Sequence, residues 1–437
     1  MNVQESANAC LKANDLATAR HHCTEWIRVD PANAKPWHLL GVCHARDGEL
    51  DDAIDCFQKA TDLDHEKSLY PYNLAVAYKA LHKLDQAIQF YRQALERRGD
   101  FFEARNNLGA SLVEAGRSKE ALECFERLVK LFPESADANF NLANTLNEAG
   151  RIDEAATHYR QAVELDPEHS AARENLGRAF LDAERFDEAR QVWTNWLSHD
   201  PTNATARHML ASLSDDTPPS RCDDQCIRET FDEKFATNFD QQLTRLEYCS
   251  PELIADTLQQ FDPPIADAEI LDAGCGTGLC APRVRSLARN LIGVDLSGPM
   301  LAEARERGLY DQLKENEITQ YMSSQTSCFD VVISADTLCY FGDLQEVLGA
   351  VSHCLKPNGV VVFTVESLES TMPMPLDVGN RYRLRPHGRY AHSESYLRQV
   401  VPDAGLSLTK IRDVVPRKER GRPVQGWLVT AQKKNLR

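Results

Sequence analysis

The chain has 437 residues, 42% hydrophobic and 26% charged, so it is too long for one ordinary domain and has apolar material for more than one core. A formal net charge of −17 argues against a surface built mainly to grip nucleic acid, because phosphate binding runs on clustered Lys and Arg. No apolar run approaches a membrane span, the first six residues lack the pattern of a secretory leader, and the thirteen cysteines form no small-domain framework; together these predict a cytoplasmic protein with free thiols and no membrane contact. Cys222/Cys226 and Cys275/Cys280 lack a second matching pair, so no metal site is expected.

The first half of the chain repeats. Ala19, Ala53, Ala87, Ala121, Ala155 and Ala189 fall at one spacing of 34 residues, and four residues after each stand Cys23, Phe57, Tyr91, Phe125, Tyr159 and Trp193. Leu40-Gly41, Leu74-Ala75, Leu108-Gly109, Leu142-Ala143 and Leu176-Gly177 keep the same period upstream. Pro31, Pro133, Pro167 and Pro201 close four of the units; His65 and Gly99 take that place in the second and third. The spacing predicts two antiparallel helices per unit, with a small residue admitting the second helix, an aromatic filling the gap and proline ending the pair. This pattern resembles the tetratricopeptide repeat over roughly residues 1–203, with 204–213 as a capping helix, giving a six-repeat array over 1–213. The resemblance implies an all-α superhelix whose concave face holds a protein or peptide. Asn106, Asn107, Asn141 and Asn144 lie in first helices and are candidates to hold a peptide backbone; the alternative is that they are simply solvated.

Residues 214–226, opening on Ser214-Asp215-Asp216-Thr217-Pro218-Pro219-Ser220, are the expected linker. Helical stretches follow around 227–239 and 251–261. Short apolar runs at 269–272, 290–295, 329–334 and 359–365 then alternate with helices, which predicts a doubly wound parallel α/β sheet over 227–437. Two strands at 406–411 and 425–431, joined through a polar connection, close the chain.

Directly after the first strand runs Asp272-Ala273-Gly274-Cys275-Gly276-Thr277-Gly278. A glycine-rich turn between strand and helix brings a ligand close to the backbone and offers it main-chain N–H groups. The spacing is G-x-G-x-G, not that of dinucleotide binders, and it lacks the Lys-Ser/Thr of a phosphate loop. Asp295 ends the second strand 21 residues after Gly274, where an acid can accept both hydroxyls of a ribose.

This loop, together with Gly293-Val294-Asp295-Leu296-Ser297-x-x-Met300-Leu301, Phe329-Asp330-Val331-Val332-Ile333-Ser334-Ala335-Asp336 and Leu355-Lys356-Pro357-Asn358-Gly359, resembles the class I methyltransferases that use S-adenosylmethionine (SAM), over about 227–435. The resemblance implies that Gly274, Cys275, Gly276 and Gly278 admit the aminocarboxylate arm of SAM beside Asp272, that Asp295 holds the ribose, and that Leu296 and Met300 flank the adenine. Glu317-Ile318, after a poorly marked third strand, are the candidates for the adenine amino group, and Asp336, which closes the strand-four motif, is counted with the cofactor-binding residues. A narrower resemblance is to bacterial methyltransferases fused to tetratricopeptide repeats. It rests on Tyr382-Arg383-Leu384-x-x-x-Gly388-Arg389-Tyr390-Ala391-His392, Phe239-x-x-x-Leu243 and Tyr248-x-x-Pro251-Glu252-Leu253.

Acceptor contacts in such a sheet come from beyond the carboxyl ends of the strands. Tyr340 follows strand four, and Arg381, Arg385 and Arg389 follow strand five; a guanidinium fork suits a carboxylate or phosphate. His387, His392 and Tyr390 are the candidate catalytic side chains, the histidines as general base. Three readings stay open: a methyltransferase whose repeats recruit a protein, a methyltransferase acting on a small anionic metabolite, and a scaffold that binds SAM without catalysis.

Overall fold

The computed structural model describes residues 3–214, 217–369, 381–419 and 421–434, so Asp215 and Asp216 of the expected linker lie outside the described residues. The chain divides into two compact units, 1–185 and 186–437, with the division inside the sixth predicted repeat.

The first unit is a run of helices from Val3–Lys12 and Leu16–Val29 to Ile152–Leu165 and Ser170–Asp182. The five periodic alanines in it, Ala19, Ala53, Ala87, Ala121 and Ala155, are fully buried. The close approach they allow is visible at Gly109, where an added Cβ would lie 2.5 Å from the Phe125 ring. The period is also written in the backbone: Asn14, Gly48, His82, Gly116, Gly150 and Glu184, spaced by 34, all turn with positive φ. Glycine takes that left-handed turn freely, and the three other residues take it at a steric cost. The candidate asparagines bond across the repeats. Asn141 Nδ2 donates to Asn106 Oδ1 (2.7 Å), Asn107 Nδ2 to Tyr72 Oη (3.2 Å), and Asn144 Oδ1 accepts from Tyr159 Oη (2.6 Å) and Asn175 Nδ2 (2.8 Å).

The second unit opens with helices Phe186–His199, Ala204–Ala211, Asp224–Thr230, Glu233–Arg245 and Ser250–Gln259. The stretch expected as one helix around 227–239 breaks at Phe231, and Asp232 restarts it by accepting the Phe235 N–H (2.7 Å). Its strands are β1 (Ala268–Ala273), β2 (Ala288–Asp295), β3 (Gln312–Glu315), β4 (Phe329–Ser334), β5 (Leu355–Ser367), β6 (Tyr382–Leu384), β7 (Tyr390–His392), β8 (Leu406–Glu419) and β9 (Arg422–Lys433). The order β3-β2-β1-β4-β5 is parallel throughout; β9 adds antiparallel to β5, and β8 to β9. Alternate residues of the central strands feed two cores: Leu271, Val332 and Phe363 enter one, and Ile270, Val331, Ile333 and Val362 the other. The strand order reverses between β1 and β4, which places the ligand crevice beyond their carboxyl ends.

β8 and β9 are longer than the sequence marks them, pairing continuously out to Glu419 and Arg422. The polar connection expected there is itself strand, because a ladder is held by backbone groups whatever the side chains. The proline-containing break before the sheet is bonded to this unit: Ser220 O accepts from Gly342 and Asp343, and Pro219 O from the Tyr390 hydroxyl (2.8 Å).

Candidate functional site

β1 delivers Asp272 and the glycine loop to the crevice. Gly274, Gly276 and Gly278 turn with φ of +79°, +54° and +85°, a conformation that side chains resist. The three glycines serve different ends. A Cβ on Gly274 would lie 2.1 Å from Thr337 Oγ1 and one on Gly278 2.9 Å from the Tyr310 ring, so both are held by packing. At Gly276 the nearest atoms would be Met300 Cε at 3.5 Å and the Phe239 ring at 3.9 Å, ordinary van der Waals distances, so a Cβ would fit there without a clash and only the backbone conformation resists it.

Two acids flank the loop. Asp272 is 1% exposed; the Tyr310 hydroxyl donates to its Oδ2 (2.6 Å), and its Oδ1 is buried with no hydrogen-bond partner among the described residues. Burial pushes its pKa up to about 7, against the Tyr310 hydrogen bond. Asp295, at the tip of β2, accepts N–H groups from Gly276 (2.8 Å) and Ser297 (2.9 Å). Desolvation pushes its pKa up against those bonds.

Leu296 and Met300 are buried beside this acid, and Met300 is the wall opposite Gly276. Cys275, 7% exposed, belongs to the protein side of the loop, its N–H donating to Val294 O (3.0 Å). Glu317 follows β3 as expected, but its carboxylate caps the next helix by accepting Gln320 N–H (2.8 Å) and the Thr319 hydroxyl (2.9 Å). The Ile318 side chain sits in the core cluster with Leu271 and Met322.

The sequence reading missed the cover of this loop. Phe231, Phe235 and Phe239 cluster with Tyr340, ring centroids 5.3–6.3 Å apart, and all four are half-buried. The helix carrying Phe235 and Phe239 is tied down by Asp240, which accepts from Thr277 Oγ1 (2.6 Å) and pairs with Arg307. The i, i+4, i+8 spacing of the three phenylalanines was the available signal.

On the side of β4 and β5 the expected roles change. Asp336 was placed with the cofactor, but its carboxylate accepts the Thr364 (2.7 Å) and Ser250 (3.1 Å) hydroxyls and pairs with Arg417. Arg417, 5% exposed and not singled out in the sequence, also pairs with Glu366 and Glu419. Arg389, expected to hold an anionic acceptor, donates from Nε to Glu366 Oε1 (2.6 Å) and pairs with Glu419. Its charge is therefore already matched. Glu366 is held well below the usual carboxylate range: burial alone would raise it, and Arg389, His387 and Arg417 outweigh that. Among the described residues the Arg385 guanidinium donates to Leu368 O (3.3 Å), and Arg381 is exposed.

The three candidate catalytic residues are corrected by their partners. His392 is fully buried, with Nε2 bonded to Gly342 O (3.1 Å), and burial pushes its pKa down to about 4. His387 accepts the Arg389 N–H at Nδ1 (3.3 Å) and places Nε2 3.3 Å from Glu366, so both ring nitrogens are engaged. Tyr390 is fully buried and spends its hydroxyl on Pro219 O. His387 and Tyr390 are engaged by partners, whereas His392 keeps an Nδ1 with no hydrogen-bond partner among the described residues and is shut away by its burial. Tyr340 remains at the junction of the aromatic cover and the ion network, half-buried and protonated, its pKa raised by burial.

A family model described as a methyltransferase domain matches residues 271–363, and three described as tetratricopeptide repeats match 32–100, 108–167 and 146–213. Methyltransferase-like protein 27 of Homo sapiens is 35% identical over 147 residues, 32% of this chain and 59% of that protein. Malonyl-[acyl-carrier protein] O-methyltransferase of Pectobacterium atrosepticum is 35% identical over 101 residues, 23% of this chain and 40% of that protein. Ubiquinone biosynthesis O-methyltransferase of Actinobacillus pleuropneumoniae is 27% identical over 138 residues, 30% and 59% respectively. The chain thus spans about half the length of these relatives. Among solved structures, YrrB, a TPR protein with an unusual peptide-binding site, is 24% identical with a TM-score of 0.38, covering 43% of this chain and 96% of that one.

Proposed function

We propose that this chain, which carries a methyltransferase domain behind tetratricopeptide repeats, transfers the methyl group of S-adenosylmethionine to an acceptor brought to it by the repeats. The observation that supports the cofactor reading is the left-handed Gly276, set against Met300 and Phe239, between Asp295 and an Asp272 whose Oδ1 has no partner among the described residues. Met300 and Phe239 offer an apolar wall for a purine, Asp295 a carboxylate for ribose hydroxyls, and the orphaned Oδ1 of Asp272 an acceptor for an ammonium group. When bound, SAM supplies an electrophilic methyl group whose leaving thioether departs uncharged. The chain's own tasks are then alignment and exclusion of water. Thr337 and Thr277 hold the loop, and the Phe231, Phe235, Phe239 and Tyr340 rings keep water from it.

With His387 and Tyr390 engaged by partners and His392 fully buried, the acceptor atom we favour is one already unprotonated near neutral pH, such as a carboxylate oxygen, which needs no base. Two of the relatives are O-methyltransferases by name, in keeping with an oxygen acceptor. A free anionic metabolite is the weaker reading, since Arg389 is already paired within the protein.

The test is transfer of labelled methyl from SAM into a cell extract by the full chain and by Asp295→Ala, counting protein and small molecules separately. Label expected from the wild type is lost in Asp295→Ala as cofactor affinity falls by about tenfold or more. Absence of label together with unchanged affinity in the variant would overturn the reading. Label confined to small molecules would remove protein recruitment and leave methyl transfer standing.

A further inference from the structure

The turn between β6 and β7 presents two faces. On one, Arg389 bonds Glu366 Oε1 (2.6 Å) and His387 Nε2 lies 3.3 Å from Glu366 Oε2, at the end of β5 where the acceptor side of the crevice begins. On the other, its backbone is gripped by helix Ala204–Ala211 and the residue just after it. His208 Nε2 donates to Gly388 O (2.7 Å), and Ser212 Oγ, whose shorter bond is to Met209 O (2.6 Å), lies 3.3 Å from Pro386 O. The approach is close because position 388 has no side chain: a Cβ there would lie 3.1 Å from Met209 Sδ, and φ is +87°. His208, Met209, Ser212 and Gly388 are all buried, so water does not substitute for these bonds. The turn closes on itself through Arg385 N–H to Arg389 O and Gly388 N–H to Arg385 O, each 2.8 Å. A shift of Gly388 therefore carries Arg389 with it.

We infer that His208 is a positioning residue for the acceptor side of the site: through Gly388 it sets where Arg389 and His387 meet Glu366, and so the shape of the wall beside Tyr340. The inference rests on the methyltransferase reading. The repeat pattern makes this helix the cap of the array, so the residue that fixes the wall lies in the element where the repeats give way to the catalytic fold.

Glutamine can place an N–H donor near the position of the imidazole Nε2, whereas alanine cannot. His208→Ala should lower methyl transfer into extract by about tenfold through a higher acceptor KM, with S-adenosylhomocysteine affinity within about twofold of wild type, and His208→Gln should recover most of the loss. Hydrogen exchange of the full chain gives a second readout that needs no acceptor. Amides 388–392, and the Leu368 N–H bonded to His392 O (3.0 Å), should exchange faster in His208→Ala and return to wild-type rates in His208→Gln. Unchanged exchange at these amides in His208→Ala would overturn the inference. So would equal loss of transfer in both variants at equal thermal midpoint, or a parallel loss of cofactor affinity. A wild-type chain that transfers no label at all would instead defeat the methyltransferase reading, and the exchange experiment would still decide whether His208 holds the turn.

Discussion

Replacing Asp272 by asparagine should abolish a pH dependence of cofactor binding that the wild-type chain shows. Asp272 is 1% exposed, one oxygen lacks a partner among the described residues, and burial raises its pKa to about 7. An unfolded aspartate titrates near 3.9, so between about pH 4 and pH 7 the folded chain holds a proton that the unfolded chain has released. Stability of the unliganded fold therefore falls as pH rises through that window, by roughly 4 kcal/mol in all at about 1.36 kcal/mol per unit. An ammonium group placed against Asp272 prefers the carboxylate, so binding must expel the proton whenever the site starts protonated. Affinity for S-adenosylhomocysteine should drop about tenfold for each pH unit below about 7 and level off above it. Calorimetry on the full chain from about pH 5.5 to about pH 8.5, repeated in buffers of different ionisation heat, counts the proton released. Asp272→Asn keeps the size of the side chain and an acceptor for Tyr310 but cannot titrate, so its affinity should be flat with pH and at least about tenfold weaker at pH 8. A flat wild-type profile would refute the reasoning. A slope that survives in Asp272→Asn would move the titration to Asp295.

The two ends of the glycine loop should respond differently to one methyl group. Gly274→Ala drives a Cβ to 2.1 Å from Thr337 Oγ1 and should lower the thermal midpoint of the catalytic unit, whereas Gly276→Ala meets nothing nearer than 3.5 Å. The latter should cost only the left-handed backbone strain, about 1–2 kcal/mol, while cofactor affinity measured by calorimetry collapses. Arg417→Met leaves Glu366 and Asp336 partly uncompensated and should destabilise the catalytic unit by about 3–5 kcal/mol in thermal unfolding. Glu366 has a depressed pKa in the fold, so its stabilising share is present above about pH 4.3 and lost as pH falls further; Arg417→Met should flatten that acid limb. In the repeats, Gly109→Ala overpacks against Phe125 and should cost about 1–3 kcal/mol, with the smaller ring-free side chain of Phe125→Leu restoring most of it in the double variant.

The repeats and the cofactor half were legible in the sequence because both are fixed by backbone constraints that leave periodic or clustered residues. A 34-residue alanine period marks the helix crossings, and three glycines with two acids at strand ends mark the loop. β3 was hard to read because Gln312–Glu315 is a short, mostly exposed edge strand with one apolar residue. The outer part of β8 was missed because Pro416-Arg417-Lys418-Glu419 reads as a polar turn. With it went Arg417, whose partners Asp336 and Glu366 lie 81 and 51 residues away in sequence. Arg389 and the two histidines were visible as residues, but their availability was not. A side chain's role follows from what already holds it, and only the folded arrangement sets Nε2 of His392 against Gly342 O or Arg389 against Glu366.

That difference bears on how the acceptor side can vary. Each charge there is shared: Arg417 serves three carboxylates, Arg389 two, and Glu366 accepts from both guanidinium groups and lies against His387. Removing any one member strands a buried partner, at a cost of several kcal/mol by the general behaviour of such pairs, about 3–5 in most cases. Shape must therefore be tuned where no charge is orphaned. Tyr340, Phe231, Phe235 and Phe239 meet this condition, being half-buried rings held by packing against one another rather than by shared protons or ion pairs. The ion network acts as the rigid floor of the acceptor side, His208 sets its outer turn, and the aromatic cover is the part of the wall that can change its size without unfolding what lies beneath it.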